Sequence, residues 1–201
     1  RTIRFVYLCR TTKPGEAENP APSETGNGPA ASAPHGNENT KDMPPIKIYK
    51  FGGASVRSAE GVENLARIVA AEPARLLVIV SAMGKTTNAL EEVLDRFMRN
   101  RSDEAIELFA EIERYHRQIV RSLFADPSSV EARTEKLASE VRELLRSETC
   151  REDYDRWYDR IVSYGELLST VIVSEYLAAQ GTPNRWLDMR GLFVTDSRYR
   201  E

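Results

Sequence analysis

The sequence predicts an α/β fold built on a parallel sheet, and three consecutive segments carry that prediction. Residues 46–51 alternate β-branched and aromatic residues with polar ones, which is typical of a strand. Residues 75–82 contain an unbroken apolar run, as expected of a strand that is buried on both faces of a parallel sheet. Residues 58–72, between them, place apolar side chains at helical spacing. Together they form a βαβ unit, for which we expect a right-handed crossover.

The composition narrows the class of protein. The chain has 201 residues, of which 41% are hydrophobic, and this is enough for a sizeable core. Its net charge of -3 argues against a nucleic-acid binder, which would carry a basic surface. No apolar run approaches the ~18 residues that a bilayer-spanning helix needs. The two cysteines, Cys9 and Cys150, make neither a disulfide framework nor a metal site. We therefore expect a cytoplasmic protein with neither a nucleic-acid nor a membrane partner.

Residues 1–45 differ from the rest of the chain. They hold seven of the ten prolines, and no Val, Ile, Leu, Phe, Tyr or Trp occurs between Thr11 and Asp42. Such a segment buries too little apolar surface to offset its ordering entropy, so we predict a disordered tail over 1–45. Met43 stands directly before the predicted fold. We expect that translation begins there and that the tail is non-native or dispensable.

The remaining elements are predicted from the spacing of apolar residues and from residues that begin or end helices. Ser58 is a suitable N-cap for the first helix. Residues 102–149 are helical in pattern and broken at Pro127, which predicts a helical hairpin inserted into the α/β domain, with Ser102 capping its first helix. The other predicted elements are a helix after about residue 86, an aromatic-rich helix from about 152 that is interrupted near 165–169 and ends before Gly181, and strands at 185–188 and 192–196.

The first strand ends in a pattern suited to an anion. Lys50 is followed by Gly52 and Gly53, and then by Ser55. Glycines permit close backbone approach, successive N–H groups converge on an anion, and a lysine adds a point charge. A plain strand-to-helix turn with a surface lysine is the alternative interpretation.

The second strand ends in hydroxyl and amide side chains, from Ser81 to Asn88. A Walker A motif is not favoured here, because it needs a glycine where the chain has Ile79. Hydroxyls together with helix N-terminal N–H groups suit a small carboxylate or phosphate. Helix capping by Thr86 or Thr87 accounts for part of the same pattern.

Further along, Glu166 follows a glycine among apolar residues, where a carboxylate is costly to bury without a partner such as a substrate ammonium. It could equally be a helix-start glutamate that complements the dipole. Asp188 and Asp196 close predicted strands, at the edge where open α/β sheets bind ligands, although loop capping explains them as well. His116 falls on the apolar stripe of its helix, so we predict a buried interface residue.

Four blocks of this sequence, in order over about residues 46–199, resemble the aspartate kinases of the amino-acid kinase superfamily. They are Lys50–Val56, Val80–Asn88, Gly165–Ser169 and Asp188–Asp196. The resemblance implies a three-layer α/β/α sandwich of the amino-acid kinase (carbamate kinase-like) type, of which 46–201 would be the N-terminal portion. It also implies transfer of the γ-phosphoryl group of ATP to the β-carboxylate of L-aspartate, with ATP and Mg²⁺ as cofactors.

The same resemblance assigns roles to individual residues. Lys50 would bind ATP phosphate and stabilise charge during transfer, with Gly52 and Gly53 as backbone donors and Ser55 assisting at the same turn. The aspartate-binding set would comprise Ser81, Thr87 and Glu166, with Glu166 facing the substrate ammonium.

Two departures limit the match. Ala54 replaces the usual threonine of the first block, which removes a hydroxyl but no backbone donor. The family's later Arg-Gly-Gly-Ser-Asp segment, nucleotide-base site and regulatory ACT domains are absent, so we expect a truncated chain that is inactive alone and a homo-oligomer when full length. The alternatives are another amino-acid kinase, such as a glutamate or uridylate kinase relative, and a non-catalytic helical interaction module that uses residues 102–149.

Overall fold

A computed structural model describes residues 46–147 and 153–191 in full, and the backbone of residues 7–10. Four strands are present: β1 (Tyr7–Arg10), β2 (Ile46–Phe51), β3 (Arg75–Val80) and β4 (Asn184–Leu187). The six helices of these residues are α1 (Ala59–Ala71), α2 (Thr86–Met98), α3 (Ser102–Leu123), α4 (Ser128–Arg146), α5 (Tyr154–Val162) and α6 (Tyr164–Ala179). Short 3-10 turns occupy Gly53–Val56 and Met189–Gly191.

The predicted βαβ unit is confirmed. β2 and β3 pair in parallel, with Lys50 opposite Ile79 and Phe51 opposite Val80, and α1 connects them. The carboxyl ends of both strands therefore lie next to each other at one edge of the sheet. The predicted strand at 185–188 is also present, as β4, whereas 192–196 lies outside the described residues.

The sheet contains one strand that we did not expect. Its order is β2-β3-β1-β4, and β1 pairs antiparallel with both β3 and β4. The prediction of a disordered tail over 1–45 is therefore wrong for Tyr7–Arg10; the rest of that segment is outside the described residues. The stretch without large apolar residues lies between Thr11 and Asp42 and does not include Tyr7–Arg10. A four-residue strand needs only a short segment to complete a backbone ladder with β3 and β4. Beginning the chain at Met43 would remove this strand.

The described helices cover one face of the sheet. Alternate β3 residues, Leu76, Val78 and Val80, are buried in a cluster with apolar residues of α1, α3 and α6. A second cluster joins α2, α3, α4, α5 and α6. The opposite face of the sheet carries Ile48, which is 62% exposed. Helices α1, α3 and α6 therefore form the layer that packs on this face of the sheet.

Helix ends follow the predictions in two places and differ in a third. The Ser58 side chain accepts a hydrogen bond from the Gly61 N–H, as expected of the cap of α1. Gly181 adopts a φ of 71° directly after α6, and the backbone of Thr182 donates to the carbonyl of Leu177, which completes a glycine-terminated end. In α3, however, Ser102 is the first helical residue and Arg101 holds the N-cap position.

The most apolar segment is Tyr154–Ala179, which comprises α5 and α6. By length and composition alone it could cross a membrane, which differs from the expectation from the sequence, but 78% of its most apolar 18 residues are buried inside the protein. Nearly every residue of α6 between Tyr164 and Leu177 is buried. Packing within the core accounts for its apolar character.

Candidate functional site

Two turns lie side by side where β2 and β3 end. The first turn, Gly52–Val56, follows β2, and the second turn, Ser81–Lys85, follows β3 and leads into α2. The Ser81 N–H donates to the carbonyl of Phe51 at 3.0 Å, and the Gly84 N–H donates to the carbonyl of Gly53 at 2.9 Å. The two turns are therefore joined by their own backbones at the carboxyl edge of the sheet.

The two glycines of the first turn have different surroundings. A Cβ on Gly53 would stand 2.4 Å from the carbonyl oxygen of Ala82, so the close contact between the turns requires glycine there. At Gly52 a Cβ would meet nothing within 4 Å. Gly52 also has an extended backbone, with φ of -75° and ψ of 164°, that any residue can adopt. The space beside Gly52 is open to a ligand that approaches the backbone closely.

The first turn is also fixed from the side of α1. A Cβ on Gly61 would lie 2.4 Å from the carbonyl oxygen of Ser55, so the first turn of α1 packs directly on it. The Ser55 N–H donates to the carbonyl of Gly52 at 2.9 Å and closes the turn, while the Ser55 side chain faces solvent. Lys50, the last but one residue of β2, is exposed beside this turn.

The start of α6 meets the second turn at two points. A Cβ on Gly165 would come within 2.9 Å of the Ala82 Cβ, and the Ser169 hydroxyl donates to the Ser81 carbonyl at 2.8 Å. Glu166 lies between Gly165 and Ser169 in the sequence. It is three residues before Ser169, so Glu166 and Ser169 share one side of the helix. Its side chain is 9% exposed, on the first turn of α6. The structure thus places Glu166 on the part of α6 that packs against the tip of β3.

The threonine that begins α2, Thr86, does not cap the helix with its hydroxyl. The Thr86 side chain is buried and donates to the carbonyl of Met83 at 2.6 Å, and the N-cap position of α2 belongs to Lys85, whose side chain makes no capping bond. Capping by Thr86 is therefore not observed. Thr87 is half-buried in the first turn of α2, and Ser81 is half-buried at the end of β3.

The charge around the two turns is positive. Lys50 precedes the first turn, Arg57 follows it and Lys85 ends the second turn, and all three are exposed. Such a set attracts an anionic ligand. Among the described residues no group of three or more His, Cys, Asp or Glu is arranged to hold a metal ion.

The other residues that the sequence singled out have structural partners. The Asp188 carboxylate accepts from the Arg190 guanidinium and backbone N–H at 2.8–3.1 Å. Burial opposes ionisation of Asp188, but the bonds from Arg190 outweigh it and lower its pKa. Asp188 therefore caps its own loop, which is the alternative interpretation given above. Asp196 lies outside the described residues. His116 is 2% exposed and faces the core, as predicted.

Two clefts lie away from these turns. One, of about 510 Å³, is formed mainly by α4 and α5, and the other, of about 440 Å³, runs between α3 and α4. Neither is lined by a residue of the two turns or by Glu166. His116 borders the second cleft, whose charged side chains form ion pairs such as that of Arg121 with Glu131. The residues that line these clefts therefore give no reason to prefer either cleft over the two turns as the functional site.

Sequence reasoning missed two residues that shape the site. Ser169 was part of a recognised block but was given no role, and its bond to Ser81 was not foreseen. Tyr115 of α3 donates to the Arg57 carbonyl at 2.6 Å, across 58 positions of sequence. No local signal identifies such a contact, because Tyr115 stands beside the apolar stripe of α3 rather than on it.

Comparison with known proteins gives consistent matches. The model of the amino acid kinase family matches residues 45–200. The chain is 37% identical over 157 residues to the chloroplastic aspartokinase 1 of Arabidopsis thaliana, covering 74% of this chain and 26% of that protein. It is 30% identical to the aspartokinase of Chlamydia pneumoniae, covering 76% of this chain and 32% of that protein.

A solved structure agrees with these matches. Aspartokinase III of Escherichia coli, in complex with aspartate and ADP, superposes with a TM-score of 0.54 at 25% identity, covering 68% of this chain and 29% of that one. The described α/β arrangement therefore corresponds to part of the amino-acid kinase fold. The chain spans only about a quarter to a third of the length of these three proteins.

Proposed function

The chain belongs to the amino acid kinase family, and on that premise we propose that it is the amino-terminal part of an aspartate kinase. The reaction is transfer of the γ-phosphoryl group of ATP to the β-carboxylate of L-aspartate, giving 4-phospho-L-aspartate, the first step towards lysine, threonine and methionine. One observation carries the proposal: the first and second turns are hydrogen-bonded side by side, and the start of α6, which bears Glu166, packs on the second turn.

The first turn is proposed to bind the phosphates. Lys50 supplies a cation, Gly52 leaves open space beside its backbone, and the N–H groups of Gly52 and Gly53 act as donors with help from Ser55. Phosphoryl transfer depends mainly on positioning and on stabilising charge, so these groups need no covalent nucleophile. Ala54, in place of the family's threonine, leaves the backbone donors in place.

Mg²⁺ is proposed to enter with the ATP phosphates. The described residues offer no ready metal cluster, and Mg²⁺ commonly binds through substrate phosphates with only one or two carboxylates. When bound, it neutralises charge on the phosphates.

The second turn and α6 are proposed to bind aspartate. Ser81 and Thr87 present hydroxyls to the carboxylates, and Glu166 offers a buried carboxylate to the ammonium. A buried carboxylate next to a small cationic ligand forms a strong charge-assisted hydrogen bond. This pairing favours an amino acid over a substrate that has no ammonium group, such as a uridylate; the choice of aspartate over glutamate is supported by the similarity to aspartokinases. A separate interaction module is not favoured, because six residues of α3 are buried in the core.

The assay for this proposal is hydroxamate formation from aspartate, ATP and hydroxylamine by the full-length enzyme. Lys50→Ala should lower kcat/KM by at least about 100-fold, since a cation at the transferred phosphoryl group is lost. Lys136→Ala, at an exposed position of α4, is the matched control and should retain activity. Equal activity of the Lys50→Ala and Lys136→Ala variants would show that Lys50 does not take part in phosphoryl transfer.

Glu166→Gln separates aspartate binding from ATP binding. Loss of the charged partner should raise the KM for aspartate about 10- to 100-fold and change the KM for ATP less than about threefold. Comparable losses for both substrates would contradict an ammonium contact.

The 201-residue chain alone is expected to be inactive. The cytoplasmic location and the homo-oligomeric state remain predictions; the Arabidopsis relative is a chloroplastic protein.

A further inference from the structure

We infer that Tyr115 is a positioning residue of this site, which holds the first and second turns at a fixed separation. Its role in phosphoryl transfer rests on the proposed function. Tyr115 lies on α3, in the helical hairpin that the sequence predicts as an insertion into the α/β domain. The inference makes that hairpin part of the catalytic framework.

The Tyr115 hydroxyl lies next to both turns. Its hydroxyl donates to the carbonyl of Arg57, the residue that follows the first turn, at 2.6 Å. The same oxygen lies 2.8 Å from where a Cβ on Gly84 would stand, so it is directly over the second turn. Gly84 has a φ of 57°, a conformation that suits glycine, and the residue leaves room for the phenol.

The tyrosine is itself held in place. Its ring packs edge-to-face on His116, with centroids 5.1 Å apart, and His116 is buried in the core. The Tyr115 hydroxyl is protonated at neutral pH and able to donate, and partial burial raises its pKa further. A phenylalanine would keep the ring contact but could not donate to Arg57.

The position of this contact suggests what it controls. The two turns are already joined by the Gly84–Gly53 backbone bond, and α6 supports the second turn through Ser169. Tyr115 adds an attachment from α3 that spans both turns. Because one turn is proposed to hold ATP and the other aspartate, the contact sets the distance between donor and acceptor. Misplacement of about 1 Å can slow such a reaction by about 100-fold without weakening either substrate.

The first experiment measures amide hydrogen exchange in the 201-residue chain with Tyr115→Phe. The amides of Ser55 and Gly84, both hydrogen-bonded within or between the turns, should exchange roughly 3- to 10-fold faster, as expected for loss of one supporting hydrogen bond. Amides in the middle of α4 should be unchanged and report that the chain is folded. Tyr158→Phe is the matched control: it also removes a 2.6 Å tyrosine hydrogen bond, to Glu91, and contacts neither turn.

The second experiment measures kinetics of the full-length enzyme. Tyr115→Phe should lower kcat roughly 10-fold while each KM stays within about twofold, and Tyr158→Phe should leave kcat unchanged. Unchanged exchange at Ser55 and Gly84, or the same exchange in both variants, would show that Tyr115 does not hold the two turns together. Faster exchange with unchanged kcat overturns the positioning role. If wild-type enzyme does not phosphorylate aspartate, the proposed function fails, and exchange alone decides whether Tyr115 holds the two turns.

Discussion

At the scale of single residues, adjacent glycines in the first turn should respond differently to the same substitution. Gly53→Ala brings a Cβ to 2.4 Å from the Ala82 carbonyl oxygen, so we expect the free energy of unfolding to fall by about 1–3 kcal/mol. Gly52→Ala meets no neighbour within 4 Å and should leave stability unchanged or raise it by up to about 1 kcal/mol. Urea denaturation of both variants measures this contrast.

Equal stability losses at the two glycines would contradict the described packing of the turns. In the full-length enzyme, Gly52→Ala should instead raise the KM for ATP, because the new methyl group occupies the space proposed for phosphate.

His116 should make the chain less stable in mild acid. Burial lowers the pKa of its imidazole to about 4 from 6.5, against the opposing effect of the bond to the Ile112 carbonyl. The unfolded chain then binds the proton first, so stability from this group is complete above pH 6.5 and is lost as the pH falls towards 4. The loss amounts to roughly 3 kcal/mol.

Denaturant titrations of wild type and His116→Phe between pH 7 and pH 4 measure this contribution. The variant should show a shallower decline over that interval. Parallel curves for the two proteins would mean that the His116 pKa is not depressed in the folded state.

At the scale of elements, β1 should be required for full stability. It pairs with β3 on one side and β4 on the other, so it is the only described link between those two strands within the sheet. A chain beginning at Met43 loses both ladders, and we expect its melting temperature to fall by at least about 5 °C. Leu8→Pro in the whole chain should lower it as well, because proline removes a backbone donor from an interior strand.

Circular dichroism melts of these two proteins and the unmodified chain test the point. Melting temperatures that coincide for all three would show that the tail is dispensable, as the sequence first suggested.

Local patterns predicted most elements but not β1. The strand at 46–51, the buried strand near 75–80 and the helices between 86 and 146 follow from periodicity, because their apolar residues repeat at the spacing of the element they form. Tyr7–Arg10 lies at the edge of a segment poor in apolar residues, and its pairing with β3 and β4 depends on partners about 70 and 180 residues away. A short strand of this kind is determined by the rest of the sheet, which composition does not describe.

A second link at this scale joins the end of α1 to β2. The Glu72 carboxylate accepts from the Tyr49 hydroxyl at 2.6 Å and from the Lys47 ammonium at 2.9 Å. These bonds, with that from Tyr49 the largest contribution, lower the Glu72 pKa to about 2. They add a side-chain contact between the end of α1 and β2, whose direction is set by its parallel ladder with β3.

At the scale of the whole molecule, the candidate site could be predicted in part. Parallel pairing brings the ends of β2 and β3 together, so the proximity of Lys50 and Ser81 follows from recognising a βαβ unit. The arrival of α6 at the same edge depended on family resemblance, since no spacing rule connects Gly165 with Ala82. Tyr115 was not predictable, because it reaches the site from a helix whose own pattern indicates only core packing.

The most direct measurement of the central claim is a crystal structure of the full-length enzyme with ADP and L-aspartate. We predict ADP phosphate against the backbone of Gly52 and beside Lys50, with the aspartate ammonium on Glu166 and its carboxylates near Ser81 and Thr87. Aspartate or ADP phosphate bound away from the two turns would contradict the account.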